Sequence, residues 1–358
     1  MKQLVSLAYY LPQFHEVEEN NLWWGKSFTE WTALSSAKKF YNWQVIRKPV
    51  APYYEYDLTS KDVLEWQNKL ATDHGITGFF MWDYWFGRGE RLLEKPAKIA
   101  LNENLNFNYC FMWANHSWYN KKIGLLLKKQ HYLGKKDYLD YFNECLPHFL
   151  SNNYIKINDK PVFGIFNPSE IPDLECFIDT FREAALKSGL TGIYFIAENT
   201  TVKSSYVGLF ERFLSSGKYF HARRKKHPIS FVKEQLIKRL GLNSIGPVVY
   251  DYSKLMSEKY SAKTGHQDEI PVIYTGWDTT PRHGERGTAL KGFDMESFNA
   301  HQKGIKKQLE FKKHDVPLVI IKSWNEWAEG NLMEPDSEYG DELLKSFKAT
   351  FNPLNIEL

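Results

Sequence analysis

The chain has 358 residues, 43% apolar and 25% charged, with a formal charge of +3 that is not gathered into a tail. That balance suits a folded protein at the size where a single core stops growing, so one large barrel or two domains are open, and it makes no case for nucleic-acid binding. Cys110, Cys145 and Cys176 are far apart, with no CxxC pair and no His/Cys cluster, so they read as reduced residues and neither a zinc site nor any other cofactor is expected.

The opening "MKQLVSLAYYLPQFHE" has one lysine, an apolar run too short to cross a bilayer and no small-residue cleavage site. No window reaches the ~18 apolar residues of a membrane helix, and the expected location is cytoplasmic.

In chain order, a first strand is expected at 4–10, followed by a long loop containing "LWWGKSFTEW" and a helix over 60–75, with Ser60 as cap and Gly75 as stop. A strand at 77–82 runs into "WDYWFGRG", then a helical stretch covers 90–104. Strand 108–113 leads into "WANHSWYN" and a helix over 135–150, and strand 161–166 into a helix over 174–189. Strand 192–197 ends in "AEN", and a weak sixth strand is expected at 206–213, within an excursion over 199–269. Strand 271–277 ends in "GWDTTPR" before a helix over 295–313; strand 317–324 ends in "SWNEWAEG" before a helix over 339–350.

These apolar runs are nearly continuous, as in parallel strands buried on both faces. Strand and helix alternate along the whole chain and no dinucleotide fingerprint is present. The expected fold is therefore α/β: one (β/α)8 TIM-type barrel, in a single catalytic domain, with a long first βα loop and the excursion.

Such a barrel builds its site where strands end. Ten of the twelve tryptophans, all but Trp43 and Trp66, lie at those ends or in the first loop. Indole faces beside carboxylates and amides suit a carbohydrate. In "SWNEWAEG", Glu326 and Glu329 stand between Trp324 and Trp327 and beside Asn325, and glycosyl transfer needs two carboxyl groups, one a proton donor and one a nucleophile or base. Two close carboxylates push their pKa values apart, leaving one protonated near neutrality. An isolated Glu pair at this spacing usually marks only a solvated helix start; here the strand-end context favours catalysis. Asp83 and Tyr84 of "WDYW", Trp113 and Asn115 of "WANHSW", and Asn325 and Trp327 of "SWNEWAEG" are further substrate-contact candidates. His116 is the one histidine expected near the site, with His15, His74, His131 and His148 expected on surfaces or loops.

The segment 218–241 holds eight Lys/Arg against one acid, Glu234, and spaces Phe231, Leu236 and Leu240 among the cations. It reads either as a solvated excursion helix or as a peripheral contact with an anionic membrane, in which case the substrate is expected to be lipid-linked.

The stretches "AYYLPQFHEVEENNLWWGKSFTEWTAL", "GITGFFMWDYWF", "RLLEKP", "FMWANHSW", "DKPVFGIF", "YTGWDTTPR" and "SWNEWAEGNLMEPDSEYG" together resemble the WbsX-type family of bacterial surface-polysaccharide gene clusters, itself similar to the glycoside hydrolase family 99 endo-α-mannosidases. The resemblance runs from about Ala8 to Gly340. It implies a (β/α)8 barrel and a retaining, metal-independent reaction in which Glu326 deprotonates the sugar's own 2-hydroxyl, which attacks the anomeric carbon, while Glu329 acts as acid and then base. It also implies Tyr10, Gln13, Glu30, Trp31, Trp277 and Asp278 as sugar contacts. Two positions depart from the family's usual pattern: "WANHSW" stands where members commonly read "WANENW", and Asp83 where a histidine is common.

The expected function is a glycan-active enzyme of bacterial surface-polysaccharide metabolism that cleaves or transfers a glycosyl group on an oligosaccharide or lipid-linked glycan. A non-catalytic glycan-binding barrel and a nucleotide-sugar-dependent glycosyltransferase are the alternatives; the latter needs a diphosphate site, and neither a Gly-rich helix start nor an acid pair for a metal is evident.

Overall fold

The computed structural model describes residues 3–120, 123–198, 206, 208–214, 217–240, 246–312 and 314–351. Parallel strands β1 (Val5–Tyr10), β2 (Gly78–Trp85), β3 (Tyr109–Trp113), β4 (Lys160–Ile165), β5 (Tyr194–Ala197) and β6 (Arg212–Leu214) pair in sequence order, and β8 (Leu318–Ile321) pairs with β1. The seventh strand closes the ring in two pieces, Glu269–Ile270 on β6 and Val272–Ile273 on β8. Pro271 divides them because it has no N–H for the ladder, although its carbonyl still accepts from Ile320 at 3.1 Å. The expected (β/α)8 barrel is what the chain forms.

Helices Lys61–Asp73, Lys95–Asn102, Lys135–Leu150, Leu174–Lys187, Met295–Lys312 and Glu342–Phe351 follow β1, β2, β3, β4, β7 and β8. Their buried stripes cover the outward strand residues, so the strands are sealed on both faces, each fully buried Phe or Ile contributing roughly 1.5–3 kcal/mol. Inside, Tyr9 stacks on Phe80 at 5.3 Å and on Trp82 at 4.6 Å. Gly164 leaves room there: a Cβ on it would collide with Phe80 and Met112.

The excursion departs from expectation. The sixth strand lies at 212–214, at the end of the apolar run, because Tyr206 and Phe210 pack ring to ring beneath it instead of extending. Two helices follow, Gly217–Lys226 and Pro228–Leu240, and then a strand that no sequence signal announced, Val248–Asp251. That strand pairs in parallel with Thr288–Lys291 outside the barrel. Residues 199–205, 207, 215, 216 and 241–245 of the excursion lie outside the described residues. Among the described residues no helix is long and apolar enough to cross a membrane.

Candidate active site

The stretch after β8 is pinned from three sides. Ser323 Oγ accepts from the N–H groups of Asn325 and Glu326, turning the chain sharply out of the strand. The Asn325 amide grips Leu11 at both its N–H and its carbonyl, 2.8 and 3.0 Å, tying the end of β8 to the end of β1. Residues Trp327–Glu329 make one 3-10 turn, closed by Gly330 at φ +55°, where a Cβ would press to 2.9 Å of Asp278 Cβ. Arg47 from the first loop donates to the Gly330 carbonyl, and Asp278 N–H donates to the Glu329 carbonyl at 2.6 Å.

This loop delivers Glu326 and Glu329 to one guanidinium. Arg282 donates to Glu329 Oε1 through Nη1 at 2.6 Å, and through Nη2 to Glu30 Oε1 at 2.6 Å and Glu326 Oε2 at 3.0 Å. Glu30, from the first loop, is itself held by the Ala328 N–H at 3.0 Å. Three carboxylates therefore share one guanidinium. Burial pushes the Glu326 carboxyl up to about 8, Arg282 opposing and Glu329 and Glu30 adding to the rise. Glu326 and Glu329 remain 14% and 18% exposed, open enough to meet a substrate.

Inward-facing strand residues continue the polar wall. Alternation along β1 and β2 turns Tyr9, Trp82 and Tyr84 toward the barrel axis. The Tyr9 hydroxyl donates to Glu198, whose other oxygen pairs with Lys322 at 3.0 Å. Burial is the largest influence on the Lys322 ammonium and works against it, but the charge and hydrogen bond of Glu198, with Tyr274 and Glu329, together hold its pKa above the usual value. Burial and then Glu326 raise the Tyr84 hydroxyl, which places that ring beside the cluster.

The same alternation corrects several substrate-contact candidates, because their neighbours face the axis and they do not. Asp83 points outward, bound to Arg91 at 2.7 Å and accepting from the Tyr141 hydroxyl at 2.6 Å. Trp113 is buried, donating to the Trp85 carbonyl and stacked on Phe177. Asn115 clamps the loop after β3 to Asn167. Tyr10 donates to Gln67 of helix Lys61–Asp73, and Gln67 donates in turn to Glu334. Trp324 and Trp327 donate their indole N–H groups to Glu334 at 3.0 and 2.8 Å, and Tyr56 adds its hydroxyl at 2.7 Å. Trp31 donates to the Tyr56 carbonyl. Strand-end tryptophans expected to form a sugar platform thus include several that serve as buried struts. Two histidines are corrected as well: His15 and His148 are buried, and burial drives the His148 imidazole down to about 3.

Trp277 and Asp278 lie beside the cluster. With Trp43, Gln44, Arg47 and Tyr339 they line an open concavity that also reaches Gly330 of the Glu329 loop. The Asp278 carboxylate is occupied by Gln44 and Thr280, so Trp277 is the group there with surface to offer. Gln13 is half-buried, and its carbonyl accepts from Glu30 N–H.

A family model described as "Glycosyltransferase WbsX" matches residues 6–347. The chain belongs to the WbsX family. Two curated relatives, both called "Uncharacterized protein WxcX" and both from Xanthomonas campestris pv. campestris (strains B100 and ATCC 33913), are 27% identical over 346 residues, 93% of this chain and 48% of theirs. The chain therefore spans about half the length of the curated relatives it matches. Among solved structures, the GH99 endo-alpha-mannosidase of Bacteroides thetaiotaomicron is similar, with TM-scores of 0.55 and 0.57 at 12% and 13% identity over 97–98% of this chain and 96% of that one. A "Glycoside hydrolase-like protein" is similar over 88% of this chain and 92% of its own, with TM-score 0.55 and 14% identity. At these identities the likeness establishes the fold.

Asp83 faces the helix layer, and His116 packs on Phe166, which in turn meets the edge of Trp82. Sequence reasoning missed Arg282, Glu198, Lys322, Tyr9 and Glu334. Arg282 was in view at the end of "GWDTTPR", and Tyr9 and Trp82 follow from strict two-residue alternation once β1 and β2 are placed. Glu334 had no local signal, since its four donors come from residues as distant as Tyr56 and Gln67.

Proposed function

We propose that the chain is a glycan-active enzyme of bacterial surface-polysaccharide metabolism that cleaves or transfers a glycosyl group with retention, using Glu326 and Glu329 as its carboxyl pair. The observation that carries this reading is the convergence of Glu30, Glu326 and Glu329 on Arg282 at the mouth of the barrel. One guanidinium fork holding both carboxylates keeps them close, as the shorter separation of retaining enzymes requires. WbsX membership and the glycoside-hydrolase fold supply the substrate class: an oligosaccharide.

In this mechanism the pair works with a single proton. Loss of it ends activity, so kcat/KM falls as pH rises through about 8, the value to which Glu326 is pushed. In the empty site burial favours the proton on Glu326. The division of roles implied by the family resemblance requires it on Glu329, with Glu326 taking the proton of the sugar's 2-hydroxyl while O2 closes on the anomeric carbon and the leaving oxygen takes the Glu329 proton. An acceptor, water or a sugar hydroxyl, then attacks the anomeric carbon and gives its proton to Glu329, while O2 leaves that carbon and takes its proton back from Glu326.

The test is turnover of α- and β-linked aryl glycosides, glycosyl fluorides and mannose-containing oligosaccharides, with the product anomer followed by NMR. Retained configuration is expected. A good leaving group needs no acid, so an activated glycoside or fluoride is expected to rescue Glu329→Gln and not Glu326→Gln. Rescue of the opposite variant would reverse the roles, and full activity in both variants would refute the carboxyl pair. Tight binding of a nucleoside diphosphate in titration calorimetry would favour the nucleotide-sugar alternative.

A further inference from the structure

Helix Pro228–Leu240 presents its apolar residues on both sides. Ile237 and Glu234 are buried against the strand Val248–Asp251, where Glu234 accepts from the Tyr250 hydroxyl and meets Arg223 at 3.6 Å. On the opposite side, Ile229, Val232, Leu236 and Leu240 are 85%, 56%, 43% and 64% exposed. At ~100° per residue these four fall within roughly 80° of arc, a continuous aliphatic stripe open to solvent. A solvated helix turns its polar face outward; this one does the reverse.

The exposed charge on the two helices has one sign. Arg224 and Lys225, at the end of the preceding helix, and Arg239, at the stripe's edge, are exposed. The one acid between residues 217 and 240 is Glu234, which is buried. Aliphatic groups flanked by free cations, with no anion on the outward face, complement the boundary between anionic headgroups and acyl chains.

We propose that this helix docks the protein on an anionic bilayer surface, seating the Ile229–Leu240 stripe at the acyl boundary and the flanking cations on lipid phosphates. The stripe differs from the one readable in the sequence: Leu236 and Leu240 belong to it, whereas Phe231 is half-buried. Position adds a consequence. The helix pair leaves the carboxyl end of β6, and the strand it packs on is joined through Thr288–Lys291 to Trp277 at the end of β7. Docking therefore occurs at the end of the barrel that holds Glu326 and Glu329. The hairpin that pairs Trp118–Asn120 with Leu125–Lys128 after β3 leaves from the same end, with Tyr119 and Leu125 51% and 53% exposed. A glycan carried on a membrane lipid would meet the site from that side, a corollary that rests on the glycan reading; the docking itself does not.

Sedimentation with phosphatidylcholine vesicles, with and without about a third phosphatidylglycerol, tests the proposal without requiring turnover. The protein is expected to bind the anionic vesicles about tenfold or more above the neutral ones, and less at high salt. Ile229→Ser with Val232→Ser, and separately Arg224→Glu with Lys225→Glu, should each lower binding about tenfold while circular dichroism stays that of the parent. Absence of parental binding, or binding that survives both pairs of substitutions, would overturn the proposal. So would a dimer in solution that Ile229→Ser with Val232→Ser dissociates, because a second copy would then cover the stripe. The charge-reversed pair lies off the barrel core and keeps the test open if the other fails to fold.

Discussion

Two glutamate sites on one loop show how the same side chain is built for opposite purposes. Glu334 is 1% exposed and receives four donors, two on each oxygen: Gln67 and Trp324 on one, Tyr56 and Trp327 on the other. Burial still lifts it to about 7, but every lone-pair direction is used, and it joins the first loop, helix Lys61–Asp73 and the β8 loop into one block. Glu326 and Glu329 have the reverse arrangement. Three carboxylates compete for Arg282, the site is part open, and its charge is unbalanced until a proton or a substrate arrives. A saturated carboxylate makes a scaffold; an undersupplied cluster keeps hydrogen-bonding capacity for a partner.

The contrast can be broken at either end, and the largest effect is expected at the open cluster. Glu326→Gln and Glu329→Gln should each lower kcat on an unactivated glycoside about 10²- to 10⁴-fold. Next is Arg282→Met, which removes charge-assisted hydrogen bonds worth roughly 1.5–3 kcal/mol each and should lower kcat/KM about 10- to 100-fold. Because Arg282 opposes protonation of Glu326, the alkaline limb of the pH profile should move upward in this variant; a fixed limb would show that the limb belongs to another group.

At the closed site the expected loss is of stability. Glu334→Gln turns an amide NH2 toward two donors on whichever side it faces, costing about 1–3 kcal/mol in denaturant unfolding. The alkaline limb should stay where it is, since the neighbours that act most on Glu326 are Arg282, Glu329 and Glu30.

A pH-dependent effect sharpens the difference between the sites. Glu326 keeps its proton to about 8 when folded and releases it near ~4.3 when unfolded, so the parent loses stability as pH rises across that window. Glu326→Gln has no such loss. Its melting temperature relative to the parent should therefore climb between pH 5 and pH 8.5, and a constant difference would mean that Glu326 is ionised in the folded chain.

Much of this was open to reading from residues alone, and the failures share a cause. Seven of the eight strands were placed by apolar runs, because a strand sealed on both faces must be apolar throughout. Glu30, Glu326 and Glu329 were named, and the structure brings all three together. Asp83, Tyr10 and Trp113 were chosen for their chemistry at strand ends without asking which face each takes; one step along the chain, Trp82, Tyr9 and Met112 have the opposite facing. The strand Val248–Asp251 escaped notice because it is short and its partner, Thr288–Lys291, is distant in the chain.

The sequence by itself determined the barrel and set Glu326 and Glu329 together just after its last strand, since these follow from local periodicity and from residues within one short stretch. Only the tertiary structure decided which side chains face the axis, that Arg282 gathers the three carboxylates, that Glu334 is a buried strut, and that the helix at 228–240 turns aliphatic residues to solvent. Each of those depends on contacts between segments far apart in the chain, and no local pattern encodes the partner that a side chain will meet.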